Sequence, residues 1–134
     1  MKTSRWWLVA FAAMAAFLGV IIYLADTGRP ELWNFPQAIP YGDKWGHFVL
    51  FGTLTFLACM AWPRSHLKSG HFFLSLPVLL ILAFAVGEEI SQGWIPGRTL
   101  DGMDLAAGCV GIFLASGFAG FLMKRARSKV SEVA

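Results

Sequence analysis

Apolar residues fall in four blocks, at about residues 6–24, 46–62, 72–92 and 104–123, with the polar residues gathered between them. Each block approaches the ~20 residues a helix needs to cross the hydrocarbon core of a bilayer, the second being slightly short. Lipid offers no partner for backbone N–H and C=O groups, so such blocks predict helices, which satisfy those groups internally. The pattern predicts an all-α protein: an integral membrane four-helix bundle forming a single domain over residues 1–134. In the first block Ala12, Ala13, Ala15, Ala16 and Gly19 predict a narrow surface that lets neighbouring helices come close. In the fourth, Gly108, Gly111, Ala115 and Ala119 recur at helical spacing and predict a packing seam. Pro77 lies inside the third block and predicts a bend, because proline removes a backbone donor. Lys2 and Arg5 ahead of the first block resemble a secretory signal, but the block outlasts the ~7–15 apolar residues of such a segment. A retained helix is therefore expected.

Composition agrees with this pattern. The 134 residues are 57% hydrophobic and 14% charged, too apolar for a soluble domain of this length. A net charge of +3 raises the question of nucleic acid, but Lys and Arg sit at block ends instead of forming one face, which argues against that partner. Their placement reports orientation. Lys2 and Arg5, then Arg64 and Lys68, then Lys124, Arg125, Arg127 and Lys129 alternate with the acidic connections, and the positive-inside rule puts both termini in the cytoplasm. Arg29, Lys44 and Arg98 share the outer side with Asp26, Glu31, Asp43, Glu88, Glu89, Asp101 and Asp104. Cys59 and Cys109 fall at different depths, roughly 18 Å and roughly 7 Å from the outer surface, and are expected as packing residues without a disulfide.

The chemistry concentrates from the end of the third block to the start of the fourth, where Glu88, Glu89, Arg98, Asp101 and Asp104 are expected at the boundary of lipid and water. Ionisable residues there point to function. On a helix that continues through Ser91, Gln92 shares a face with Glu88 and with Glu89. Pro96-Gly97 then stops it. The third helix presents its negative end to both glutamates, so compensation is required from Arg98, Lys44 and the positive ends of the second and fourth helices. Glu89 is expected on the inward face and Glu88 nearer the rim. Asp43 reads as an N-cap of the second helix, with His47 one turn further in, where the helix dipole favours a neutral imidazole. Asp101 reads as a cap of the fourth helix and Asp104 as the better site residue. The Pro- and aromatic-rich stretch from Asp26 to Gly42, with Trp33, Phe35 and Tyr41, reads as a lid lying on the membrane, and His66 and His71 as solvated.

Taken together, Asp43-Lys44-x-x-His47-Phe48, Glu89-x-x-Gln92, Pro96-Gly97-Arg98 and Asp101-x-x-Asp104, with Gly111 beyond, resemble the VanZ-like family over Asp43 to Gly111. Gly108 stands where that family commonly has an Asn. The resemblance implies a small multi-pass protein of the bacterial inner membrane facing the periplasm or cell wall, and its name-giving member is associated with low-level teicoplanin resistance. The matching positions are Asp43, Lys44, His47, Glu89, Gln92, Arg98, Asp101 and Asp104.

Three functions fit these residues. In the first, the outer polar cluster binds or remodels an envelope lipid or lipid-linked precursor, with Lys44, Arg98 and helix N-termini holding phosphate or carboxylate and Asp43, Gln92 and Asp101 completing the binding set. In the second, the protein is a hydrolase or transferase with His47 as general base, Glu89 as general acid, Asp104 beside them and Arg98 stabilising negative charge. No serine elbow, phosphate loop or HExxH pattern accompanies that set. In the third, it is a transport or assembly subunit, although the inner halves of the blocks are apolar. No cofactor is expected and no metal-ligating set is assigned, while His47 among carboxylates permits a divalent ion such as magnesium or calcium. A homo-oligomer is left open.

Overall fold

A computed structural model of the chain describes residues 5–28, 40–63 and 74–132. Among these it has four helices, α1 Arg5–Asp26, α2 Gly42–Ala61, α3 Leu76–Gln92 and α4 Gly102–Glu132, and no strand. The all-α expectation holds. Three stretches, Arg5–Asp26, Gly42–Ala61 and Gly102–Lys129, are long and apolar enough to cross a membrane. The short helix is α3, with 17 residues, whereas the block pattern had made it the second. The reason is local: α2 gains a first turn from the polar residues around Asp43, and α3 begins only at Leu76.

That start also corrects the expected bend. Ser75 is extended (φ −71°, ψ 147°) and Pro77 lies in the first turn of α3, where a backbone N–H has no partner within the helix anyway. Proline therefore opens α3 instead of kinking it. Pro77→Ala should lower the stability of the protein in detergent by about 0.5–1 kcal/mol, because alanine frees the unfolded chain. Removal of a proline from a helix interior would raise it, by up to about 3 kcal/mol. A chemical unfolding curve reads the sign.

The central pair is α2 and α4. Their backbones touch: a Cβ on Gly111 would fall 3.1 Å from the Phe48 carbonyl carbon and closer still to its oxygen, and one on Gly52 would lie 3.3 Å from the Gly111 oxygen. The small-residue seam expected in the fourth block is this contact, with Gly108, Gly111 and Ala119 buried on it. Phe51, Leu54 and Ala58 of α2 pack with Ile112 and Ala119 of α4 and with Ile81 and Ala85 of α3 into one apolar core.

Helix α1 is peripheral. Leu18 is its one buried residue, joined to the core by Phe11, Met14 and Ile22, while Trp7 and Phe11 meet Phe56 and Trp62 edge-on at 6.0 and 5.1 Å. Ala12, Ala13, Ala16 and Gly19 are exposed, contrary to the close packing expected of them. Large side chains at helical spacing carry this interface, since dispersion contacts scale with the atoms that touch. Cys59 and Cys109 are free thiols. Most of the segment read as a lid (29–39) and both His66 and His71 lie outside the described residues.

Candidate functional site

The charged residues of the site lie at helix ends, except Arg98, which a turn between α3 and α4 delivers. Helix α3 closes at Gly93, a turn before Pro96-Gly97. Those two residues instead form a reverse turn in which the Arg98 N–H donates to the Ile95 carbonyl at 3.1 Å and Gly97 adopts φ 85°. Proline followed by a left-handed glycine is the sequence a type II turn requires. The turn folds Arg98 back towards α3. Its guanidinium donates to Asp26, the last residue of α1, at 2.9 Å and to Glu88 at 3.2 Å. Gln92, one turn beyond Glu88, donates to both Glu88 carboxylate oxygens at 2.9 and 3.0 Å. Both acids sit at negative helix ends, where an unpaired carboxylate is disfavoured, and Arg98 answers the two at once.

A second set joins α2 to α4. Lys44 donates to Asp101 at 2.8 Å and to Asp104 at 2.9 Å. Asp101 precedes α4 and accepts the Met103 N–H at 2.8 Å, the contact of an N-cap. The Lys44 ammonium, with help from that N–H and against a small cost of burial, holds the Asp101 carboxyl below its ordinary value of 3.8. The unfolded chain then binds the proton more readily in that range. The stability this carboxylate adds is complete above the ordinary carboxylate value and is lost as pH falls through the folded one. Asp101→Asn should accordingly melt lower than wild type at pH 6, with the gap closing below pH ~4.

Between the two sets lies Glu89. It turns inward, 2% exposed, and one oxygen accepts the Asp101 backbone N–H at 2.6 Å, at the positive end of α4. Its other oxygen is buried without a hydrogen-bond partner among the described residues. His47 of α2 rests 5.8 Å from the Phe51 ring, and one ligand atom from each of His47, Glu88 and Glu89 lies within 4.8 Å of the others. A Cβ on Gly108 would meet the Phe51 ring at 3.3 Å and the His47 Cβ at 4.0 Å, so this glycine leaves room for the Phe51 ring beside His47. A half-open cleft of about 60 Å³ runs in from the side, walled by Leu18, Ile21, Ile22 and Ala25 of α1 and Leu50 and Phe51 of α2, and ends at His47, Glu88 and Arg98. That volume suits a small polar group or about two waters.

Most of the residues expected at the site meet here: His47 and Arg98 at the end of the cleft, Glu89 and Gln92 behind them against His47, Glu88 and Asp101, and Lys44 bridging Asp101 and Asp104. Asp43 does not join them. It is exposed in the first turn of α2, forms none of the described ion pairs, and the cap position belongs to Tyr41 (φ 59°), which makes no side-chain cap bond. An acid in the first turn already gains from the dipole without capping. Lys44, expected to compensate the glutamates, serves the two aspartates. Asp26 was not expected as a partner of Arg98; its place at the negative end of α1 is the signal that could have found it.

The family described as VanZ/LLP1 matches residues 3–123 of the chain. The chain belongs to that family. No curated protein and no solved structure matches it. With three helices long and apolar enough to span a bilayer, this VanZ/LLP1 chain is a membrane protein. The VanZ/LLP1 match runs through every residue of the two ion-pair sets.

Proposed function

We propose that this VanZ/LLP1 protein crosses the bacterial inner membrane four times as one domain, with both termini in the cytoplasm, and that its outer polar cluster binds the headgroup of an envelope lipid or lipid-linked precursor. One observation carries this reading: the wall of the cleft changes from Leu18, Ile21, Ile22 and Leu50 to His47, Glu88 and Arg98. A lipid passes through the same change from its chains to its headgroup. Arg98 is the anion-binding residue, because a guanidinium has five N–H donors and its two ion pairs leave some of them for a phosphate or carboxylate. Lys44, committed to two aspartates, is a strut between α2 and α4 and not a headgroup ligand. A part in glycopeptide resistance belongs to the same proposal, through the lipid-linked precursors of the cell wall.

The test is binding of short-chain phosphatidylglycerol to the full chain in maltoside micelles containing a chelator, followed by tryptophan fluorescence. Arg98→Ala should weaken binding at least about tenfold, the scale of one charge-assisted contact, and Arg98→Lys should restore part of it. Unchanged binding by Arg98→Ala contradicts the reading.

The closeness of His47 and Glu89 favours a second reading, a hydrolase or transferase of the same lipids with this pair as base and acid. Turnover that survives both His47→Ala and Glu89→Gln removes it.

A further inference from the structure

The polar cluster is out of electrical balance. Among the described residues, Asp26, Glu88, Glu89, Asp101 and Asp104 face Lys44 and Arg98, an excess of three negative charges. The ion pairs place the excess. Lys44 answers Asp101 and Asp104, and Arg98 answers Asp26 and Glu88, which leaves Glu89 with one backbone N–H and no cation among the described residues. Glu89 is also the most buried of the five, and its second oxygen has no partner. A buried carboxylate oxygen without a partner carries a desolvation cost that a bound cation removes.

We propose that His47, Glu88 and Glu89 form a binding site for a divalent transition-metal cation, Mn²⁺ or Zn²⁺. One imidazole nitrogen and two carboxylate oxygens come from facing helices, α2 and α3, with their ligand atoms within 4.8 Å of one another. Around an ion at about 2.1 Å from each ligand, such atoms lie about 3.4 Å apart, so rotation of the side chains by roughly an ångström closes the site. The mixed nitrogen and oxygen set selects against Mg²⁺ and Ca²⁺, which prefer oxygen alone. The carboxylates are already oriented: Gln92 and Arg98 hold Glu88, and the Asp101 N–H holds Oε1 of Glu89 while Oε2 has no partner among the described residues. Supporting hydrogen bonds of this kind position ligands in metal sites. His47 and Glu88 line the end of the cleft, from which water or a headgroup oxygen can reach positions on the ion left open by the three side chains. The site stands on these three residues and does not depend on the lipid reading.

Mn²⁺ titration of the purified full chain in lipid-free maltoside micelles, followed by electron paramagnetic resonance, tests it. The wild type should bind one Mn²⁺ per chain saturably, release it to stoichiometric Zn²⁺, and show nitrogen modulation from an imidazole. His47→Ala should lose that modulation and weaken binding at least about tenfold, and Glu89→Gln should abolish binding. The double variant His66→Ala, His71→Ala should bind as wild type does. Absence of saturable binding overturns the proposal. So does binding without nitrogen modulation, binding that survives both site variants, or binding lost in the double variant. If Glu89→Gln does not fold, the wild-type modulation and its loss in His47→Ala decide the matter. Because no lipid is present here and a chelator is present in the lipid assay, the two readings fail separately.

Discussion

Gly111→Ala is expected to destabilise the bundle by about 2 kcal/mol net in detergent, although alanine is the better helix former. Helix propensity alone gives alanine an advantage of about 1 kcal/mol over glycine in a helix interior. Packing opposes it. The added methyl would be forced against the Phe48 carbonyl, and backbone on the facing helix cannot step aside as a side-chain tip can. Overpacking of a tight interior costs about 1–3 kcal/mol, and a clash with backbone belongs at the upper end. Either the axes of α2 and α4 separate, which opens the core around Phe51 and Ile112, or the helices lose their register. Gly19→Ala is the control, since a Cβ there meets nothing within 4 Å and the site is exposed on α1. It should be neutral or slightly stabilising. Opposite signs for two glycine-to-alanine changes in apolar helices would separate packing from propensity.

The second large effect is expected at Arg98. Arg98→Ala leaves Glu88, with a side chain 7% exposed, and Asp26 without their cation at negative helix ends. Breaking a buried pair by removing one partner costs about 3–5 kcal/mol, and the partial exposure of Arg98 and Asp26 lowers that here to about 2–3 kcal/mol. The loss should fall mainly on Glu88, which keeps only Gln92. In a Glu88→Gln background the same Arg98→Ala change should therefore cost about 1 kcal/mol less, a coupling that a double-mutant cycle measures directly. Equal costs in both backgrounds would mean that the pair contributes nothing.

The sequence disclosed the helices because lipid-length apolar blocks have few other structures open to them. It also located the cluster, because charges at helix ends must find compensation and the candidates are few. What it withheld depends on direction. Pro77 bends a helix or opens one according to where the first turn falls, and that is set by the extended backbone at Ser75. Ala12, Ala13, Ala16 and Gly19 could line an interface or a lipid-facing surface, and periodicity cannot say which way a helix turns when every side of it is apolar. Lys44 and Arg98 could each have compensated Glu88 or Glu89. Their pairings depend on which helix ends stand closest, and those distances depend on the approach of α2 to α4 at Gly52 and Gly111. Asp26 was legible by the argument applied to the glutamates, that an acid closing a helix needs a cation. The free oxygen of Glu89 was not, since only the packed bundle shows which polar atoms lack partners.

The most direct measurement of the central claim is native mass spectrometry of the full chain released from nanodiscs of phosphatidylethanolamine and phosphatidylglycerol. The wild type should carry a retained phospholipid. Ala25→Trp, which fills the cleft from the α1 side and leaves every charged residue in place, should emerge folded and without it. Equal phospholipid retention by the two proteins would contradict a headgroup site reached through that cleft.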